Sequence, residues 1–591
     1  MQKVSLITKY NNGRQAGMSL VEVLLAVAIF AVLVSGVIGA IIYGQESTAV
    51  AGARERATKI AEEGIEAVRN IRDSSYSNLP VDGTYGLAIS GGVWTLSGTS
   101  DVTDVFTRSV TLATVDSRTR NITVNVTWSQ TIQRTGTISL NTYLTNWITN
   151  LYRNGMLVYG DGDSTTDAIK YQIYNDSTGT WSAAAATADI DGATTNKSLR
   201  AARVYSSSTR NEKVLVSRHY DGTSQWIYAQ VYNGITWGDV TQLATWTAST
   251  SLDVQNFDAT YMANGNLMVI YSDNTLVPKY KTWDGTTWSV QSSLTTFGAS
   301  QIPSYIVAKA RPNTNEIMMA AFTQNFNTNS EYYSGSAWSA VTSHATAAPL
   351  ATESLVDFDW SPQNTTTGAI IYTTHSTGNP GSRSITSMIW TADGSGSGVW
   401  SATGVSNSQG TGVDKLGVMR LIGVSGANEF QACDQDTKFQ IICYKTNFTP
   451  AFIDPTNQTL TTTRDSGLQR SFDIGAELSG AKVIAVYSDS TTTAKLKKYD
   501  RVTAVWDVAA TNINPSVVGV IKTARVVPNP FTNDAMILVA DANLDVFSVV
   551  WDGTNHQLYA TPVGKSWTTH GTNGSATTDY WYDFVWDGIS S

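Results

Sequence analysis

Two cysteines in 591 residues, Cys433 and Cys443, are too few for a disulfide-rich scaffold or a zinc knuckle. The five histidines (His219, His344, His375, His556 and His570) are scattered with no HExxH or HxxxH spacing, which argues against a metallohydrolase. No metal site, cofactor or catalytic residue is expected. Charged residues make up only 15% of the chain, against roughly 25% in ordinary soluble domains. The net charge is -9, with no basic cluster beyond the N-terminal segment, so nucleic acid is not an expected partner. Trp (18) and Tyr (26) are abundant among Ser, Thr, Asn and Gly, the composition of an exported β-rich surface. The length, several times the ~150 residues of one domain, calls for more than one domain or a run of repeats.

Residues 1–17 carry Lys3, Lys9 and Arg14 and no acid, and Met18 to Tyr43 is apolar except for Glu22. A helix over that run is about 39 Å long at ~1.5 Å per residue, enough to cross a bilayer core of about 30 Å. It exceeds the roughly 7 to 15 apolar residues of a secretory signal peptide. Basic residues before the run and none immediately after it predict a cytoplasmic amino terminus, with the rest of the chain outside. A carboxylate near the start of a membrane helix costs about 2 to 3 kcal/mol, so Glu22 calls for a partner. Cleavage after Gly17 would create one, a free α-amino group on Met18.

Gly17-Met18-Ser19-Leu20-Val21-Glu22 followed by an apolar helix resembles the class III signal of type IV prepilins and type II secretion pseudopilins. The resemblance implies that a prepilin peptidase cuts after Gly17 and methylates Met18. It also implies that Glu22 pairs with the amine of an adjacent subunit during filament assembly. Met stands at the new terminus where Phe is commoner. The implied partners are other pilin or pseudopilin subunits and the peptidase. The implied location is the inner membrane, as a single-pass protein, and then a cell-surface filament.

Beyond Tyr43, Ala57, Ile60, Ala61, Gly64, Ile65, Val68 and Ile71 recur at intervals of three and four, predicting one continuous helix over about 19–72. Its charged side, with pairs such as Glu55 and Lys59, reads as a solvated face. Gly36 and Gly39 each lower helix propensity by about 1 kcal/mol and allow bending. From 84 to 146 the period becomes two, with strands expected at 93–96, 106–112, 122–128 and 137–144. A long helix on a small antiparallel meander is similar to the pilin module. The expected segments are a leader over 1–17, an assembly helix over 18–43, a globular module over 44–147 and a linker over 148–155.

The remainder repeats. An aromatic, a tight turn and a Trp recur as Tyr174 to Trp181, Tyr232 to Trp237, Trp283 to Trp288, Tyr333 to Trp338, Trp390 to Trp400, Tyr499 to Trp506 and Trp551 to Trp567. The closing Trp residues lie 56, 51, 50, 62, 106 and 61 residues apart, and the gap of 106 holds a degenerate copy at 439–447. Eight apolar strands precede the copies, beginning at Met156, Lys213, Leu267, Ile317, Ala369, Glu429, Val483 and Met536. Four strands in about 50 to 60 residues are the mark of a β-propeller, because a sandwich domain needs about 100 residues. The expected fold is therefore an α+β pilin module followed by an all-β propeller over 156–591, with eight four-stranded blades rather than seven. The surplus strand Tyr582-Asp583-Phe584-Val585-Trp586, whose Phe584 lies 17 residues after Trp567, is expected to complete the first blade.

Trp283-Asp284-Gly285 and Trp551-Asp552-Gly553 resemble the Asp boxes of sialidase-like propellers, but Asp284 directly precedes Gly and stands four residues before Trp288. As hairpin turns they need no catalytic role. The arginines Arg200, Arg203, Arg218, Arg311, Arg383, Arg420 and Arg525 show no common repeat position, so an arginine cluster on the axis is not expected. Asp161 to Asp167 alternates carboxylates like a calcium loop, but the matching 271–275 and 487–491 read as polar turns. A turn near Gln435-Asp436 would hold Cys433 and Cys443 too far apart to bond, so both are expected to be free. The functional expectation is a minor pilin or pseudopilin displaying a non-enzymatic propeller for adhesion to a surface glycan or protein. The alternative is an anchored sialidase-like glycan-cleaving enzyme or a type II secretion pseudopilin.

Overall fold

The computed structural model describes residues 19–74, 78–115, 119–131, 134–145, 154–160, 169–192, 197–248, 255–299, 301–345, 355–373, 384–393, 396–407, 416–436, 440–449, 458–464, 470–513, 519–560, 565–566, 568–571 and 581–588. The chain divides into two compact units, Met1–Asn150 and Leu151–Ser591.

In the first unit one helix, Leu20–Ser74, runs through 55 residues. Its N-terminal half is long and apolar enough to cross a membrane and exposes Leu24, Leu25, Phe30, Leu33 and Ile41. The C-terminal half buries Ala57, Ala61, Gly64, Ala67, Val68 and Ile71 against a six-stranded antiparallel sheet. That sheet includes Gly83–Ser90, Val93–Ser97, Phe106–Thr114, Thr119–Thr131 and Arg134–Thr145. Small residues on the helix stripe let the backbones approach. A Cβ on Gly64 would stand 2.9 Å from Val124 Cγ1. Beside it the buried Arg108 guanidinium donates to the Ile60 carbonyl at 3.0 Å and pairs with Asp101 at 2.9 Å, so the cation enters the core with its donors matched.

The described residues of the second unit form eight small antiparallel sheets, each with four main strands and, in four of them, a fifth short one. The first strands of successive sheets are Tyr582–Trp586, Ser198–Ser206, Phe257–Tyr261, Pro303–Ala310, Val356–Trp360, Leu416–Gly423, Phe472–Ala476 and Ile521–Pro528. Each packs against the next, and Ile521–Pro528 also meets Tyr582–Trp586. Among the second strands, Leu267–Tyr271, Ile317–Thr323 and Ala535–Asp541 are buried at every position. With both faces covered by neighbouring sheets they have no reason to alternate, hence their continuous apolar runs. In the first sheet the two ends of the second unit meet, Tyr582–Trp586 pairing with Gly155–Tyr159 with Phe584 opposite Leu157.

Three sequence expectations are corrected here or below. Cys433 and Cys443 are not free but form a disulfide, with 4.0 Å between their Cα atoms. Gln435 faces Ile441 and Cys433 faces Cys443, so the turn lies beyond Gln435 rather than on it, and the register brings the two sulfurs together. In the eighth sheet the residue opposite Trp551 is Leu558, not Trp567; Trp567 lies outside the described residues. Elsewhere the aromatic pairs do close their hairpins, as at Trp390 opposite Trp400 and Tyr499 opposite Trp506. The third correction concerns the recurrence of the arginines.

Candidate functional site

Gly17 and Met18 lie outside the described residues. Glu22 is exposed in the first turn of the helix, where Ser19 N–H donates to its Oε2 at 3.1 Å and Val21 N–H donates to Ser19 Oγ at 3.3 Å. Ser19 thus caps the helix through Val21 N–H while Glu22 reaches back to Ser19 N–H as in a capping box, and together they satisfy orphan donors of the helix start. Sequence reasoning took Glu22 for an assembly group and missed this second role, although the Ser-x-x-Glu spacing carries it.

The first strands of the second unit carry an alternating charge pattern. In the first, third, fifth and seventh sheets stand Asp583, Asp258, Asp357 and Asp473. Their Oδ2 atoms accept the backbone N–H of Val204, Ala308, Leu421 and Val526 in the following sheet at 3.1, 2.9, 2.8 and 3.0 Å. The residues just before those four are Arg203, Val307, Arg420 and Arg525. Arginine therefore recurs at one position in three of four alternate sheets, contrary to the sequence expectation, because the repeat that matters spans two sheets and not one.

Arg420 reaches both Asp357 and Asp473 at 3.1 Å. Arg525 pairs with Asp583 at 2.7 Å and Arg203 with Asp583 at 3.5 Å, and Arg470 pairs with Asp473. Burial raises the Asp258 and Asp359 carboxyls, which Lys309 partly offsets. At Asp473 burial is outweighed by Arg470 and Arg420, which hold the carboxyl below its usual value. Burial and the nearby Arg203 push Arg525 down to about 10, with Arg470 adding to the shift. Each of the four aspartates thus bonds the next sheet's backbone, and three of them also pair with arginine. This is the arrangement of a lock between sheets, which a buried carboxylate requires.

The Asp-Gly hairpins serve as turns. Asp284 Oδ1 accepts the N–H of Thr286 and Thr287 at 2.7 and 2.8 Å, and these bonds hold its carboxyl well below the usual range. Asp552 does the same for Thr554 and Asn555 at 3.0 and 3.2 Å. Asp161 to Asp167 lies outside the described residues. At the matching turn, Asp273 Oδ1 accepts from Thr275 and Asn274 adopts a left-handed φ of 64°. Among the described residues no cluster of three metal-ligating side chains occurs.

Residues 12–38 match the prokaryotic N-terminal methylation motif, the segment that holds Gly17, Met18 and Glu22. The chain therefore carries a type IV prepilin signal ahead of its apolar helix. No curated protein matches the chain. Among solved structures, a lectin of Burkholderia pseudomallei is similar at 10% identity and a TM-score of 0.44, covering 64% of this chain and 100% of its own. A periplasmic gluconolactonase of Pseudomonas aeruginosa is similar at 10% identity and 0.34, covering 61% and 97%. The Aleuria aurantia lectin is similar at 12% identity and 0.32, covering 55% and 97%.

Proposed function

We propose that this protein is a minor pilin or pseudopilin of a type IV pilus-like filament. In this reading its eight sheets are the blades of one closed propeller, displayed outside the cell for adhesion or ligand binding without catalysis. The observation that carries the reading is the methylation motif over residues 12–38 at the head of an apolar helix that continues into a sheet-packed half. The segments follow as leader 1–17, assembly helix 18–43, globular module 44–147, linker 148–155 and propeller 156–591.

The Cys433–Cys443 bond supports an exported propeller, because disulfides persist in oxidising compartments and rarely in the cytosol. Size supports a sparse or tip position. A compact unit of the size of Leu151–Ser591 has a diameter of roughly 55 to 60 Å, whereas packed helices sit about 8 to 10 Å apart, so neighbouring subunits could not all carry one. The four buried aspartates support binding rather than hydrolysis, because their oxygens are taken by arginines, by the Tyr205 hydroxyl and by backbone N–H groups.

The test separates the two roles of Glu22. Mass spectrometry of the mature chain should find methylated Met18 at its start. Glu22→Gln keeps the capping geometry, since Gln also closes a capping box, but removes the charge that would meet a neighbour's amine. It should be cleaved normally and fail to enter filaments. Normal incorporation of Glu22→Gln, or a mature terminus beyond Tyr43, would overturn the reading.

A further inference from the structure

Between the outer parts of the fourth and fifth sheets lies a cleft of about 420 Å³, within the range of small-ligand sites. The hairpins that carry the closing Trp residues build it. Tyr332 and Trp390 pack at 5.1 Å between ring centroids, and Trp400 stands edge-on to Trp390 at 5.1 Å. Trp400 is half-buried, while Trp390 is 6% exposed. The indole N–H of Trp390 is enclosed behind the wall of the cleft, and Thr342 and Ser397 add hydroxyls to the lining itself.

Among the described residues no Lys or Arg lines the cleft. Its one lining carboxylate, Glu331, takes a hydrogen bond at 3.2 Å from Thr295 N–H, just beyond the last strand of the third sheet. His344, edge-on to Trp400 at 4.8 Å, is pushed down to about 4 by burial and is neutral at neutral pH. An acidic ligand would find no counter-charge. An apolar side chain would cover the two hydroxyls without satisfying them, at a cost for each. A ligand with C–H faces for the indole rings and hydroxyls for the two on the lining meets both conditions.

We propose that this cleft binds a neutral saccharide, one pyranose unit seated against Trp400 with its hydroxyls on Thr342 and Ser397. The proposal rests on the reading of the propeller as a binding domain and names its ligand class.

The test uses the full chain in a sugar-free zwitterionic detergent on an array of glucose-, galactose-, mannose- and fucose-terminated oligosaccharides, beside sialylated and uronic-acid counterparts. Saturable binding to neutral members is expected. Trp400→Ala should weaken it roughly threefold to tenfold through lost stacking. Trp400→Ala also thins the packing, so Ala337→Arg, at an exposed lining position, fills the mouth without touching the core. It should abolish binding with an unchanged melting profile. No saturable binding to neutral saccharides, binding confined to acidic ones, or binding undiminished in both variants would overturn the proposal. The mature terminus of the same sample is read in parallel. A processed chain that binds no neutral sugar sinks the saccharide site alone, and an unprocessed chain that binds one sinks the pilin reading alone.

Discussion

Phe584→Ala tests how much the meeting of the second unit's two ends in the first sheet contributes to stability. Phe584 is 2% exposed, and its ring fills the space that a side chain at Gly155 would occupy, since a Cβ there would stand 2.1 Å from Phe584 Cζ. Removing a fully buried Phe side chain costs about 3 to 5 kcal/mol. Unfolding entropy near ~2.1 cal/mol/K per residue gives about 0.9 kcal/mol/K for a unit as long as Leu151–Ser591. The apparent midpoint should therefore fall by about 3 to 5 °C in calorimetry. Gly155→Ala should destabilise the wild-type background and be tolerated better beside Phe584→Ala, because the ring it would strike is gone. A midpoint for Phe584→Ala within about 1 °C of wild type, or strictly additive effects of the two substitutions, would refute the packing argument.

Deleting residues 580–591 removes the strand Tyr582–Trp586 altogether and should leave an apolar edge that aggregates on expression; a soluble product melting like wild type would contradict this. Replacing Cys433 and Cys443 by Ser opens a loop with a sequence separation of 10 and should cost about 3 kcal/mol, while alkylation of the unreduced wild-type chain should detect no free thiol. Asp473→Ala strips Arg420 and Arg470 of a shared partner and should destabilise by about 3 to 5 kcal/mol in denaturant titration, far more than an exposed pair such as Glu55 and Lys59. Burial raises the Glu331 carboxyl from 4.5 to about 7. The fold therefore holds a proton that the unfolded chain has lost in that window, and stability falls as pH rises through it. Glu331→Gln, which the second sheet already accommodates as Gln230 accepting from Ala188 N–H at 3.1 Å, should gain on wild type between pH 5 and pH 8. Equal melting differences at both pH values would refute that.

The N-terminal motif, the long helix and the four-strand period were legible in the chain because each depends on residues close in sequence. A signal peptide is read linearly by its peptidase, an amphipathic stripe repeats every three or four residues, and an Asp-Gly turn with its following Trp closes one hairpin. The second strands announced themselves because burial on both faces leaves an unbroken apolar run such as Leu267–Tyr271. What depended on register or on neighbouring sheets stayed hidden. Placing the turn beyond Gln435 decided whether Cys433 met Cys443, and a shift of even one residue in a hairpin changes every opposed pair along it. Leu558 took the place opposite Trp551 by backbone pairing, which residue type alone does not reveal. The alternation of Asp258, Asp357, Asp473 and Asp583 with Arg203, Arg420 and Arg525 escaped a search by single repeats because each carboxylate serves the backbone of the following sheet. The cleft at Tyr332, Trp390 and Trp400 likewise belongs to two sheets at once, so the packing of successive sheets, and not either segment alone, brings its aromatic wall and hydroxyls together.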